Sequence, residues 1–278
     1  MTYSIVGRDP DSGELGVAVQ SRAFNTGAAV PWGAPGVGVV ATQSYTEQSY
    51  GPLGLDLLRA GKSPEQALAA LVAADAEPQY RQVAILDAEG RVAVHVGEAC
   101  IPAAGYVSGD GFSAQANMVA SERVWEAMAE TFVRSEGPLE ERLLDALDAA
   151  EAAGGDWRGR QAGGILLVAR EGQHWQREVD LRVDDHPDPL AELRRLVRLR
   201  RAYRAMRGPP GPTADDLEVL PEVDRVWARI STDTATGRLE EARELLRPLL
   251  EAEPRWADLV RSIADRELLP NADKLLEG

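Results

Sequence analysis

The first residues of the chain, MTYSIVGRDPDSGELGVAVQSR, constrain the fold more than any other stretch, because they predict a hairpin at its very start. Residues 3–6 and 15–19 are apolar runs typical of strands, and residues 9–13 form a turn cluster between them. Chain termini are usually poorly ordered unless a strand or helix ties them down. The pattern therefore predicts that Thr2 lies inside the folded protein, at the head of a core strand.

Beyond the hairpin, the predicted strands and helices come in groups rather than in alternation. Residues 24–38 are rich in Gly, Ala and Pro and are predicted to form a loop. Helices are expected at 50–60 and from residue 63, where Ser63, Pro64 and Gln66 make a helix-start pattern. The other predicted elements are strands at 39–43, 82–87, 92–96, 101–107, 112–116, 163–169 and 177–183, and helices at 118–134, from 138, and at 189–207.

This grouping favours two antiparallel sheets over one doubly wound parallel sheet, in which single strands and helices would alternate. Two helices follow the first group of strands and two more follow the second. We therefore predict an α+β fold, a four-layer αββα sandwich with a small all-α appendage at the C-terminal end.

The Pro- and Gly-rich stretch GPPGP marks a linker, so we predict a main domain at 1–207 and a linker with a helical domain at 208–278. Within the tail, GRLEEARELLRPLLEAEPRW resembles half of a tetratricopeptide repeat. A lone helical pair cannot bury its apolar face. We therefore expect a homo-oligomer that forms through the apolar helices, or else docking of the tail on the main domain; the apolar face carries Val223, Val226, Trp227 and Ile230.

The composition excludes several classes of protein. A formal net charge of −15 disfavours nucleic acid and anionic membranes as partners, because phosphate attraction needs clustered positive charge. The single cysteine, Cys100, excludes an internal disulfide framework. With no long apolar run and no signal-peptide pattern, we expect a cytoplasmic protein.

Motifs for cofactors and metals fail on spacing. GLDLLRAGKS has six residues between Gly54 and Gly61, where a phosphate-binding loop needs four. The cluster Asp184, Asp185, His186 and Asp188 could bind a metal, but capping of the next helix explains it more simply. We expect no cofactor and no metal.

Several separated segments resemble one family. The order of elements is similar to that of the N-terminal nucleophile hydrolases, and within them TYSIVGRDPDSGELGVAVQSR, GVGVVATQSY, YGPLGLDLLRAGKSPEQALAAL, GDWRGRQ and DLRVDDHPDP look like the DUF1028 family. The resemblance covers residues 2–207. Some members of that family carry a C-terminal segment described as peptidoglycan-binding.

The resemblance implies a role for Thr2. In these hydrolases the first residue of the mature chain is both nucleophile and base, because its own α-amino group takes the hydroxyl proton. We therefore expect Met1 to be removed and Thr2 to attack a small amide, the small-molecule substrate. The alternatives are that Thr2 merely begins a strand, and that the protein is a catalytically silent module for binding or assembly.

One departure from the proteasome-type pattern concerns charge. Such sites place an aspartate near the end of the second strand and a lysine on the next, whereas VAVQSR offers Gln20, Ser21 and Arg22. If the pKa of the nucleophile is depressed, Arg22 is the candidate cause. Ser21 joins the candidate substrate-binding residues.

Other polar residues are candidates for the same site. Asn117 follows a predicted strand and could either donate to an oxyanion or cap a helix. Gln43 is a second candidate oxyanion donor, and the alternative for it is a hydrogen-bonded polar group in the core. Asp156, Arg158 and Arg160 lie in the loop GGDWRGRQ, where a guanidinium could bind a substrate carboxylate. A structural Asp–Arg pair is the alternative there.

Overall fold

The computed structural model describes residues 2–206 and 213–277 of the chain. The chain divides into two compact units, Met1–Val197 and Arg198–Gly278. That division falls inside a helix, Pro189–Ala205. The predicted boundary between residues 207 and 208 and the predicted linker at 208–212 lie outside the described residues, so the division into domains 1–207 and 208–278 stays a proposal.

The first unit contains a six-stranded antiparallel sheet with Thr2 at one end of a central strand. The strands run in the order β10-β9-β2-β1-β8-β7, so β1 pairs with β2 on one side and β8 on the other. This register places Thr2 opposite Ser21 and opposite Asn117. The six strands are β1 Thr2–Arg8, β2 Leu15–Ser21, β7 Gly105–Gly109, β8 Phe112–Asn117, β9 Ala162–Val168 and β10 Val179–Val183.

A four-stranded antiparallel sheet packs against the first. Its strand order is β3-β4-β5-β6, and the register sets Gln43 opposite Gln82. An apolar cluster that includes Val6, Val17 and Leu86 fills part of the space between the sheets. The four strands are β3 Pro31–Ala34, β4 Gly38–Ser44, β5 Arg81–Asp87 and β6 Val92–Val96.

Helices cover the outer face of each sheet. The helices α2 Tyr50–Arg59 and α3 Pro64–Ala74 bury apolar side chains against the four-stranded sheet. On the six-stranded sheet, α4 Arg123–Arg134, α5 Leu139–Ala152 and the start of α6 Pro189–Ala205 do the same. Three apolar layers thus separate four structural layers, which confirms the predicted α+β αββα sandwich. No helix in the described ranges has the length and apolar character needed to cross a membrane.

Local sequence signals explain several helix ends. Ser63 accepts from the backbone N–H of Gln66, and the Gln66 side chain accepts from Ser63 in return, which confirms the predicted capping box of α3. Asp188 accepts from the backbone N–H of Ala191 at the start of α6, as expected for a cap.

Three expectations for local structure were wrong. The predicted loop at 24–38 contains a short helix, α1 Thr26–Ala29, and the edge strand β3. The strand expected at 101–107 begins only at Gly105, and the helix expected from residue 118 begins at Arg123. Each error lies at a segment whose conformation depends on the neighbouring strand or helix, which composition does not reveal.

Every regular element in the described residues of the second unit is a helix, as predicted for the appendage. Ile230 lies in a small apolar cluster that buries residues from three helices and a 3-10 helix, so the tail is more than a lone helical pair. Val223 remains 45% exposed, whereas Val226 and Trp227 pack on that cluster. The tail's part in a homo-oligomer and its repeat-like character stay predictions. Its elements are α7 Ala214–Val219, α8 Glu222–Ala235, α9 Leu239–Ala252, α10 Trp256–Asp265 and the 3-10 helix Ala272–Leu276.

Candidate functional site

Thr2 lies where the central strand begins, at one edge of the sandwich. Its side chain faces the space between the sheets, and the hydroxyl Oγ1 is 3.1 Å from Ser21 Oγ on the neighbouring strand. Because side chains alternate along a strand, the next residue, Tyr3, points to the helix-covered face and donates to Glu151 Oε2 at 2.7 Å. Thr2 is 6% exposed, so a small part of it reaches the surface.

The backbone carbonyl of Thr2 is contacted by two side-chain amides. Gln43 Nε2 lies 3.4 Å from it, across the space between the sheets, and Asn117 Nδ2 lies 3.5 Å from it on the adjacent strand. Both amides also donate to a single oxygen, Gln82 Oε1, at 2.7 and 3.0 Å. The register of both sheets therefore brings the predicted residues Thr2, Ser21, Gln43 and Asn117 together.

Gln82, which the sequence analysis missed, holds the two amides in place. Its own Nε2 donates to the backbone carbonyls of Ala116 at 2.9 Å and Gly105 at 3.2 Å. Both ends of the side chain are therefore occupied, and Gln82 cannot rotate without breaking several hydrogen bonds. A glutamine directly before the apolar run VAIL of the strand RQVAILD was the signal that could have revealed it.

The hydrogen-bonded chain continues deeper between the sheets. Ser113 Oγ donates to Gln115 Oε1 at 2.8 Å, and Gln115 Nε2 donates to Ser4 Oγ at 2.7 Å. Ser4 Oγ then donates to Gln43 Oε1 at 2.6 Å. These side chains are fully buried. The polar residues at every second position of FSAQAN, the strand β8, were the available sequence signal.

Asn117 ends a strand and does not cap a helix. Asn117 is the last residue of β8, and α4 begins at Arg123, so the interpretation of Asn117 as a helix cap was wrong. Its amide nitrogen contacts Gln82 and the Thr2 carbonyl. In this position Asn117 orients the backbone of Thr2, and its role as an oxyanion donor stays a prediction.

Asp156 ties a second loop to the end of β2. Its Oδ2 accepts from the backbone N–H of Arg22 at 2.9 Å, and its Oδ1 accepts from the backbone N–H of Arg158 at 2.9 Å. The Arg158 guanidinium reaches the same carboxylate at 3.2 Å. This is the structural Asp–Arg pair that the sequence left open as an alternative.

The guanidinium groups of Arg22 and Arg160 have other partners. Arg22 Nη1 donates to Gln161 Oε1 at 2.5 Å, so this contact directs the Arg22 charge toward Gln161. Arg160 pairs with Glu151 and Asp188, each at 3.3 Å. Glu151 also accepts from Tyr3 on the helix-covered face, so the contacts of Arg160 lie on the other side of the sheet from the Thr2 hydroxyl.

The buried Tyr3 hydroxyl carries a shifted pKa. Burial raises the pKa of Tyr3 well above its usual value, and the neighbouring Glu151 carboxylate adds to the rise. Tyr3 therefore stays protonated and serves as a hydrogen-bond donor. Elsewhere in the described ranges, no group of three His, Cys, Asp or Glu side chains is arranged to hold a metal ion.

Comparison with known proteins identifies the family. The model of a family of unknown function, DUF1028, matches residues 2–193. The chain belongs to this family. A solved DUF1028 structure, protein SPO2555 from Silicibacter pomeroyi, is 32% identical over 75% of this chain and 87% of that one, with a TM-score of 0.66.

A more distant structural match is Anbu, an ancestral beta-subunit, from Yersinia bercovieri. It is 12% identical, covers 76% of this chain and 99% of that chain, and superposes with a TM-score of 0.32. A superposition at that level supports no statement about activity. No curated protein matches the chain.

Proposed function

We propose that this DUF1028 protein is an N-terminal nucleophile hydrolase that cleaves a small amide, with Thr2 as nucleophile once Met1 has been removed. The observation that supports this most is the position of Thr2. It begins the central strand of an αββα sandwich, with its hydroxyl against Ser21 and its carbonyl against two amides. The state of Met1 lies outside the described residues.

The proposed chemistry needs no cofactor. Thr2 Oγ1 attacks the amide carbon, the free α-amino group of Thr2 accepts the hydroxyl proton, and that proton then passes to the departing amine. Water hydrolyses the resulting ester and restores Thr2. An α-amino pKa of about 8 suits a base that works near neutral pH.

The neighbouring side chains then have positioning roles. Ser21 holds the Thr2 hydroxyl through the 3.1 Å contact, which restricts its rotation before attack. Gln43 and Asn117, both oriented by Gln82, hold the Thr2 carbonyl and thereby the direction of the first residue. Arg22 remains the candidate for an electrostatic effect on the nucleophile, and Asp156 and Arg158 remain candidates for binding substrate. The partners of Arg160 lie on the helix-covered face, away from the Thr2 hydroxyl, and do not favour a contact between Arg160 and substrate.

The test uses full-length protein from its native host. Intact mass should show that Met1 is absent, and a library of small amides should contain a substrate. Thr234→Ala is a suitable control for Thr2→Ala, because it also removes a buried threonine hydroxyl, which donates to the backbone carbonyl of Ile230 in the tail. Uniform retention of Met1 in active protein would exclude the mechanism.

A catalytically silent binding or assembly module is the second candidate. Proteasome-type sites use a lysine, and this chain offers few. Its two lysines are Lys62 and Lys274, and Lys62 is exposed on the surface after α2, which favours this candidate. Protein that lacks Met1, binds amides and hydrolyses none of them would support this candidate.

A further inference from the structure

Four large apolar side chains stand exposed in loops at the edge of the sandwich where Thr2 lies. Phe24 is 68% exposed, Tyr45 59%, Ile101 37% and Trp157 65%. Large apolar side chains that are exposed together in one region usually mark a binding surface. We call these four residues the apolar rim.

Trp157 and Ile101 lie in loops that are hydrogen-bonded to segments on opposite sides of Thr2. Trp157 follows Asp156, whose carboxylate accepts from the backbone N–H of Arg22, next to Ser21 at the Thr2 hydroxyl. On the other side, the backbone N–H of Met118 donates to the Ile101 carbonyl at 2.8 Å, and Met118 follows Asn117. Asn117 contacts the Thr2 carbonyl.

The other two members follow the strands that contact Thr2. Phe24 comes three residues after Ser21, and Tyr45 comes two residues after Gln43. The Tyr45 ring also packs against Tyr80 with centroids 5.5 Å apart, which fixes its place in the loop. Phe24 and Tyr45 are therefore close in sequence to residues that contact Thr2. Trp157 and Ile101 belong to loops that are hydrogen-bonded to the segments carrying such residues.

The charges next to the rim do not favour an ionic ligand. The Arg158 guanidinium is paired with the buried Asp156 carboxylate, and Arg22 donates to Gln161. The chain as a whole carries a net charge of −15, which repels anions. Small-molecule sites commonly combine apolar walls with a few polar groups at the reacting atoms.

From this arrangement we propose that the substrate of the Thr2 site is an amide with an aromatic or other bulky apolar group, which binds on the apolar rim. The proposal rests on the function proposed above and narrows its substrate class. The occupant is a small molecule, because the loops that carry the rim adjoin the residues that contact the hydroxyl and carbonyl of Thr2, the proposed nucleophile.

The chain provides a matched pair of tryptophans for the test. Trp157 and Trp175 are both 65% exposed, but Trp175 lies in the loop between β9 and β10, at the opposite end of the strands from Thr2. Both are surface positions, so neither Trp157→Ala nor Trp175→Ala should unfold the protein.

Binding is measured first, so that it does not depend on catalysis. Full-length Thr2→Ala protein is titrated with phenylacetamide, acetamide and succinamic acid by calorimetry. Phenylacetamide should bind roughly tenfold more tightly than acetamide, because a phenyl ring adds apolar area for burial. Adding Trp157→Ala should weaken phenylacetamide binding about fivefold, while Trp175→Ala changes it less than about twofold.

The outcomes separate this proposal from the proposed function. Binding that depends on Trp157, without turnover by protein that lacks Met1, supports the rim and excludes the hydrolase. Turnover of acetamide or succinamic acid in preference to phenylacetamide overturns the rim alone. The rim proposal is also overturned if Trp157→Ala and Trp175→Ala weaken phenylacetamide binding equally. It is overturned as well if Trp157→Ala leaves binding unchanged but lowers the mass measured by light scattering, because Trp157 would then lie in a contact between subunits.

Discussion

The space between the two sheets has two halves of opposite character, and a single strand, β1, contributes to both. Val6 lies in an apolar half with Val17 and Leu86, whereas Ser4, two positions earlier, joins a hydrogen-bonded half with Gln43 and Gln115. The apolar half needs only close packing. The polar half needs every partner, because a buried amide without one destabilises the fold by about 1–3 kcal/mol.

The difference suggests what each half contributes. Apolar packing tolerates small shifts, but a connected set of amides has one arrangement in which all its groups are satisfied. The polar half ends at Thr2, so we expect it to fix the geometry of that residue, while the apolar half supplies stability. If this division holds, substitutions in the polar half should lower turnover, whereas substitutions in the apolar half should lower only the free energy of unfolding.

Thr2→Ala should separate function from stability most clearly. Removing the hydroxyl should lower turnover by roughly a thousandfold or more, because the proposed nucleophile is lost. The free energy of unfolding should change little, since alanine fits the first position of a strand. Thr2→Ser should retain part of the activity. Steady-state kinetics on the identified amide and urea unfolding measure the two effects, and an active Thr2→Ala protein would mean that another group attacks.

Gln82→Leu and Leu86→Ala compare the two halves on one strand. Gln82 and Leu86 are four positions apart on β5, so their side chains share one face of the strand. That face is turned toward the other sheet, where Gln82 contacts β8 and Leu86 packs in the apolar cluster. Leu86→Ala should lower the free energy of unfolding by about 2–5 kcal/mol and leave turnover by the folded protein unchanged.

Gln82→Leu should lower both the free energy of unfolding and the turnover. It leaves the Gln43 and Asn117 amides without their shared acceptor, so we expect about 1–3 kcal/mol of destabilisation and a lower kcat. Gln82→Glu keeps the acceptor for the two amides but puts an oxygen against the carbonyls of Gly105 and Ala116. It should therefore recover part of the kcat without recovering the free energy of unfolding. Unchanged kcat in Gln82→Leu would contradict the positioning role.

Gln20→Met tests a polar group outside the polar half. Gln20 is fully buried on the helix-covered face, and neither of its amide atoms has a hydrogen-bond partner within the described residues. Replacement by an apolar side chain of similar length should therefore be neutral or raise the free energy of unfolding by up to about 1 kcal/mol. Marked destabilisation in urea would show that the Gln20 amide is satisfied in solution.

Loss of the ion pair between Arg81 and Asp75 should have the smallest effect on stability. The Arg81 side chain, hydrogen-bonded to Asp75, lowers the pKa of that carboxyl to about 2. Because the folded pKa is depressed, this stabilisation is present above the unfolded pKa of about 4 and is lost as pH falls toward 2. The difference in urea midpoint between the wild type and Asp75→Asn should therefore shrink from pH 5 to pH 3, with turnover near neutral pH unaffected.

Local patterns predicted much of the fold. The first hairpin, the capping box of α3 and the grouping of strands and helices follow from periodicity and turn residues, which act over a few positions. The edge strand β3 and the start of α4 were missed, because each depends on a neighbour that is distant in sequence.

From the sequence alone, Thr2 is predicted to head a core strand, and this prediction is confirmed. The polar residues at every second position of FSAQAN were also visible in the sequence, although their meeting with Gln43 was not predicted. Which polar groups contact one another depends on how the two sheets pack. The contacts from Ser4 to Gln43 and from Gln43 to Gln82 each span 39 residues and follow from the packing of two sheets and their register. The register of the six-stranded sheet likewise places Asn117 opposite Thr2. A one-residue shift would turn every such side chain to the other face, so no local pattern could specify these contacts.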